Sequence, residues 1–363
     1  MHDLAVLNKQ FAALGFNRKP VRYHAAELLV QVLLAVGGVI VFVLASGAVV
    51  KAAALVLMTF GNLGLTNFGH SASHNGISER GWINRGFLLL TFGAAFGTSA
   101  TWWISKHVVV HHNTPNVIGL DDDVALLPWF ALTEEQARSG GRLQRWYFRH
   151  QWLALPLALA LTAFSMMLSS WRFLAAALSN PRRRTALHVV DAAAIVAHYA
   201  LWIALPLFWF RAADVVGFYV VRAVLLGFAV FLTAAPAHFP AEARFLAKEG
   251  HSDRGAYRRH SDYILLQTTT TVNFRAGWIG DLFCCGAQYQ IEHHLFPGIS
   301  HAYYPRMSPI VRAYCEANGY PYQTLGWGKG MWKSLRVFWR PKPVEPELDA
   351  LREHALRDDS APV

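Results

Sequence analysis

Cysteine is scarce in this 363-residue chain: Cys284, Cys285 and Cys315 are the only three, and no CxxC pair occurs. That excludes a disulfide-stapled scaffold and a cysteine-built zinc module, and it suits a reduced, cytoplasm-facing working side. Charge is sparse too, at 15% of residues against 54% hydrophobic. The first 20 residues contain Asp3, Lys9, Arg18 and Lys19 and lack an apolar h-region, so no cleavable signal peptide is expected. A net charge of +10 would suit a polyanion. No basic stretch, however, carries the interleaved aromatics of a single-strand binder, and no nucleic-acid partner is expected. The excess fits cytoplasmic loops and anionic headgroups instead. No internal repeat or low-complexity segment divides the chain, so residues 1–340 are read as one domain. The charged stretch 341–363, with "PKPVEPELDALREHALRDD", is read as an appendage.

The apolar residues gather into six long runs, roughly 25–46, 51–69, 86–103, 153–170, 187–210 and 215–236. A helix needs about 20 residues to cross the hydrocarbon. Arg18, Lys19 and Arg22 precede the first run, Arg138, Arg142, Arg145 and Arg149 the fourth, and Arg182, Arg183 and Arg184 the fifth. Positive charge marks the cytoplasmic side. With both its ends there, the fourth run reads as interfacial or re-entrant, and the third, broken by Gly93 and Gly97, reads likewise. The expectation is an all-α integral membrane protein of four transmembrane helices in two hairpins, plus interfacial helices and a cytoplasmic cap.

Histidines cluster at the cytoplasmic ends of those runs. "GHSASHNG" places His70 and His74 four residues apart, and "KHVVVHHNTPNVIGLDDD" places His107, His111 and His112 as HxxxHH. "YQIEHHLFPGISH" places Gln290, His293 and His294 as QxxHH, and His238 follows the last run. Spacings of three and four put side chains on one helical face. One such pair is weak; three clusters and His238 on one side of a membrane are not. Eight imidazoles exceed one ion's needs, so the set suits two first-row ions at about four imidazoles each, with Gln290 as a weak or supporting contributor. Imidazole alone does not choose among iron, copper, zinc and nickel.

These motifs resemble those of the membrane fatty acid desaturase and hydroxylase superfamily, whose hallmark is three histidine boxes on cytoplasmic helices around a di-iron centre. "HVVVHHNTPNVIGLDDD" and "YQIEHHLFPGISHAYYPRM" closely resemble the second and third boxes of the acyl-lipid and front-end desaturase branch, where glutamine replaces the first histidine of box three. The likeness runs from about residue 25 to residue 325. Two departures stand out: Ser71 occupies a position where that branch usually has aspartate, and no His-Pro-Gly-Gly haem segment of a fused cytochrome b5 domain is present.

The resemblance implies two iron ions as cofactor, O2 as co-substrate, and an acyl-lipid, acyl-CoA or acyl-carrier substrate. It implies electrons from a separate donor such as ferredoxin, cytochrome b5 or a reductase, and an inner-membrane enzyme whose site faces the cytoplasm. A neutral nitrogen ligand set also needs acceptors for its imidazole N–H groups. Asn116, Asp121, Asp122, Asp123 and Asn273 are candidates, with His301 further out; the aspartates read equally as a solvated loop or helix cap.

Trp102 and Trp103 line the inner end of a substrate channel or serve as interfacial aromatics. Asp191 and His198, seven apart in the fifth run, line that channel or make structural hydrogen bonds. Lys106 and the Arg258-Arg259 pair suit acyl-carrier phosphates, an acidic donor or lipid headgroups. His2, His24, His150, His188, His251, His260 and His354 show no convergent partner and read as surface or interfacial. A hydroxylase or epoxidase on the same scaffold is the nearest rival. A metal transporter would instead place its histidines within the spans.

Overall fold

The computed structural model describes residues 4–248 and 260–345. A short helix α1 (Leu4–Ala13) precedes the antiparallel pair α2 (Val21–Leu44) and α3 (Ala48–Ser73). A side chain at Gly61 would strike the Ala35 backbone, so glycine there sets how closely the pair approaches. Aliphatic residues on the outer face of α2, including Leu33, Val36, Ile40 and Leu44, stay exposed as a lipid-facing surface.

The third apolar run is a broken helix. Its first arm, α4 (Gly81–Leu88), continues as a π-helical stretch through Phe96; its second, α5 (Ala100–Trp103), continues through Val110 and a 3-10 turn to Asn113. The arms bend by 113°. Gly97 makes the turn in the left-handed region, at φ 89°, with no room for a side chain beside His198.

Breaking a helix inside apolar surroundings frees carbonyls at one end and N–H groups at the other. Here the freed groups are answered by charge and dipole. The Ala94 carbonyl accepts from His198 Nδ1 at 3.1 Å, and the Ala95 carbonyl accepts from the buried Arg222 guanidinium. On the other arm, Asp191 accepts from the backbone N–H of Ala100 (2.9 Å) and Thr101 (2.8 Å) and from Ser99 Oγ (2.6 Å). A cation at the helix C-terminus and an anion at the N-terminus both match the helix dipole. Asp191 and His198, read from sequence as lining a channel or making structural hydrogen bonds, are thus each bound to this break.

Two short helices, α6 (Glu134–Arg138) and α7 (Arg142–His150), lead to α8 (Leu155–Ser179), with Pro156 in its first turn. Helix α9 (Ala186–Tyr199) starts at a capping box between Thr185 and His188 and runs through looser turns to Phe208, and α10 (Ala212–His238) returns. Ala163 and Met167 of α8 pack with Tyr219, Ala223 and Leu226 of α10. Among the described residues, five helices are long and apolar enough to cross a membrane: α2, α3, α8, the stretch Ala186–Phe208 and α10; the bent pair would make six. The fourth run, expected as interfacial or re-entrant, supplies the first part of a 25-residue helix that meets the same criterion as the other four.

The remaining elements assemble over the end of the bundle where α3 and α10 finish. They are β1 (Phe245–Leu246), α11 (His260–Thr270), β2 (Asn273–Arg275), α12 (Gly277–Cys284), α13 (Gln290–Leu295), α14 (Tyr304–Ala317), β3 (Thr324–Gly326), α15 (Trp327–Arg336) and β4 (Val344–Glu345). The strands form two parallel pairs, β1 with β4 and β2 with β3. Leu7, Phe11 and Phe16 pack against Ile291, Phe296 and Met307, joining the N-terminus to α13 and α14.

The chain stays on the fold beyond residue 340, where the appendage was expected to begin. Lys342 is buried, its backbone bonds Leu132 and Glu134, and its side-chain nitrogen donates to the carbonyls of Pro240 and Ala243. The stretch 346–363 lies outside the described residues, as do His2, His251, His354 and the Arg258-Arg259 pair.

Candidate metal centre

Four helical segments end at one place. His70 lies in the last turn of α3, and His74 is its capping residue. His107 sits in the π-helical stretch of the second arm, and the following 3-10 turn re-aims His111 and His112. His238 is the last residue of α10, after Pro236, and α13 carries Gln290, His293 and His294.

All eight histidines predicted as ligands meet there, and they fall into two groups. His70, His74, His107, His112 and His293 form one, and His111, His238 and His294 the other, with the donor atoms of each group within 4.8 Å of one another. By proximity of donor atoms the groups hold five and three imidazoles, and His107 and His111 also come together with Asp123. Ring nitrogens face ring nitrogens: His70 Nε2 to His107 Nε2 at 2.7 Å, His107 Nε2 to His112 Nε2 at 3.2 Å, and His112 Nε2 to His293 Nε2 at 3.1 Å. The Gln290 amide completes the smaller group, 2.9 Å from His238 Nε2 and 3.3 Å from His294 Nε2. Rotating that amide would present its oxygen to the same point.

The donor set fits metal. His74 Nε2 is buried without a hydrogen-bond partner, and a buried polar atom left unpaired costs about 1–3 kcal/mol. Burial, reinforced by neighbouring imidazoles, pushes His293 and His294 well below the usual histidine range. They are therefore neutral and carry the lone pair that a metal requires.

Supporting groups hold the outward nitrogens. His111 Nδ1 lies 2.9 Å from Asp121, a fully buried carboxylate that also accepts from Asn116 N at 2.8 Å and Asp123 N at 2.9 Å. Asn116, in the left-handed region, donates to the carbonyls of His238 and Thr270. Asp123 approaches His111 at 3.3 Å and His107 at 3.8 Å, and it pairs with Lys106. Burial opposes its charge, yet Lys106 and the histidines hold its carboxyl well below the ordinary range. Trp103 stacks on His107 at 4.4 Å, while Trp102 lies under the Lys106 ammonium. Asn273 binds Ile291 N and the Glu292 carboxylate, so it orients α13 rather than touching an imidazole.

Two supporting residues carry no sequence signal. The Gln267 amide oxygen accepts from His294 Nδ1 at 2.8 Å while its amide nitrogen donates to the His112 carbonyl, and the Tyr304 hydroxyl lies 3.3 Å from His293 Nδ1. A third residue corrects an expectation: His24, read as surface or interfacial, is buried and bound to Glu27 and Ser300. His301 joins it there and does not reach either histidine group.

The chain matches the family model described as fatty acid desaturase over residues 46–326. Among curated proteins it is 28% identical to the sn-1 linoleoyl-lipid 6-desaturase of Synechocystis sp. over 286 residues, 76% of this chain and 74% of that one. It is 26% identical to the enzyme of the same name from Arthrospira platensis over 79% of this chain and 76% of that one. The acyl-lipid (9-3)-desaturase of Physcomitrium patens is 23% identical over 87% of this chain, which spans only 58% of that relative. The family match takes in all three histidine boxes and every helix that brings them together; the chain is an integral membrane protein of the fatty acid desaturase family.

Proposed function

We propose that this chain is an O2-dependent acyl desaturase that places a cis double bond in the acyl chain of a membrane lipid. The observation that supports it best is the convergence of eight buried imidazoles from four helical segments into two adjacent groups. Methylene C–H bonds have no acidic proton, so a base alone cannot remove them. Two iron ions held by these groups would supply the oxidising power of O2, which leaves as two waters after taking two hydrogens from adjacent carbons, two electrons and two protons.

The protein's part is binding and orientation. His70, His74, His107, His112 and His293 would hold one ion, and His111, His238 and His294 with Gln290 the other. Asp121, Gln267 and Tyr304 would fix the orientations of His111, His294 and His293, with Asp123 beside His111. The stacked indole of Trp103 covers His107 and keeps water from that side. The membrane reading is four spans in two hairpins, α2 with α3 and α9 with α10, with the site facing the cytoplasm. Helix α8, packed lengthwise on α10, and the broken helix are then re-entrant, entering the bilayer from that face. Electrons come from a donor protein of the ferredoxin, cytochrome b5 or reductase type.

The test is iron content of the detergent-purified protein together with the lipid profile of an expressing host. A new double bond with about two irons per chain is expected. A hydroxylated product would move the chemistry to the rival on this scaffold, and an iron-free active protein would sink the reading. His111→Ala and His293→Ala should each abolish turnover while leaving the protein in the membrane.

A further inference from the structure

Beyond the eight-histidine site, a separate buried cluster joins the start of the first long helix to the segment after box three. His24 and Glu27 lie one turn apart near the beginning of α2, and His301 follows the Pro297-Gly298 bend. Both histidines are 3% exposed, and the Glu27 side chain is 8% exposed. One donor atom from each lies within 4.8 Å of the others. Glu27 Oε2 is 2.8 Å from His301 Nε2 and 3.4 Å from His24 Nδ1. None of the three belongs to either group of the metal centre.

The outward nitrogens are already engaged. His24 Nε2 meets Ser300 Oγ at 2.8 Å, and His301 Nδ1 meets Ser71 Oγ at 2.9 Å. When those serines take the ring N–H groups, the inward nitrogens present lone pairs to an anionic oxygen. Three electron-rich atoms then face one another in a buried space, an arrangement that a cation at its centre satisfies. The spacing suits one: bonds of about 2.0–2.1 Å to a tetrahedral ion place neighbouring ligand atoms about 3.3 Å apart. Two imidazoles and a carboxylate also leave a position for water, and the set suits a borderline divalent ion.

We propose that His24, Glu27 and His301 bind a divalent transition-metal ion, with Zn2+ the best fit, at a third metal position distinct from the two histidine groups. The ion ties α2 to the chain after α13 and, through Ser71, to the residue beside His70. Its role is to fix boxes one and three relative to each other. It takes no part in oxidation.

The experiment is element-resolved metal analysis of the full-length protein, purified in detergent from cells supplied with iron and zinc, as wild type, Glu27→Gln and His293→Ala. The expected result is one zinc per chain in the wild type, lost in Glu27→Gln with iron retained, and kept in His293→Ala while iron falls. Equal metal content in wild type and Glu27→Gln overturns the proposal. A wild type holding one ion only, lost in Glu27→Gln, keeps this site and defeats the di-iron reading instead. If Glu27→Gln aggregates, anomalous diffraction at the zinc edge from wild-type crystals decides. A peak among the three side chains supports the site, and its absence overturns it.

Discussion

Asp121 shows how much of this protein's chemistry rests on residues that would never touch a metal. It is buried, and it accepts from His111 and from two backbone N–H groups of its own loop. Asp121→Asn keeps the shape but puts N–H donors where acceptors are needed, so it should lower metal affinity or turnover about 10–100-fold. Iron retention during dialysis and turnover of a reloaded sample check this. Lys342 offers a second test at this scale. Burial, only partly offset by Glu242, pushes its amine down to about 7 from an ordinary 10.5. As pH falls from 10.5 toward 7 the unfolded chain takes up a proton that the folded chain refuses, so folding stability drops across that window and levels off below it. Lys342→Met should flatten this slope, and its unfolding temperature relative to wild type should rise between pH 9.5 and pH 7. A constant offset at both pH values would contradict the argument.

Among the elements, the broken helix governs the site most directly, because box two rides on its second arm. Asp191→Ala would leave the N–H groups of Ala100 and Thr101 without their acceptor in a buried setting, at about 1–3 kcal/mol each. The expected outcome is a protein that inserts but unfolds several degrees lower and binds less than its full iron, read by thermal unfolding and metal analysis. The sequence carried the boxes plainly, since spacings of three and four on helical ends are local signals, and all eight ligand candidates came together. It carried less of what lies between them. Gln267 serves His112 from 155 residues away, and His24 meets Ser300 from 276 away; neither is marked by any pattern near it. The π-helical stretches that turn His107 toward His70 have no apolar period of their own. The fourth run reads as interfacial or re-entrant when the charge at its flanks is weighed above its apolar length, whereas α8 is a 25-residue helix as apolar as a span requires. The expected appendage hid an anchored strand because Pro341 and its charged neighbours read as a linker, whereas Lys342 finds buried carbonyls.

Taken whole, the molecule closes on its metal centre from both ends of the chain, with α3 and the broken helix supplying one side and α10 and α13 the other. Bound ions would therefore act as cross-links between distant segments. An ion present at a hundred times its Kd adds about 2.7 kcal/mol to folding, so chelation should lower the unfolding temperature and remove any dependence on added Fe2+. The unequal division into five imidazoles and three carries one more consequence. If each group holds one ion, the five-imidazole pocket should bind it more tightly than the pocket of three imidazoles and Gln290. Anaerobic titration of stripped protein with Fe2+ should be biphasic, the richer pocket saturating first. A sample holding one iron would then be a uniform half-loaded population, idle for want of its second ion, rather than a mixture of finished and empty molecules.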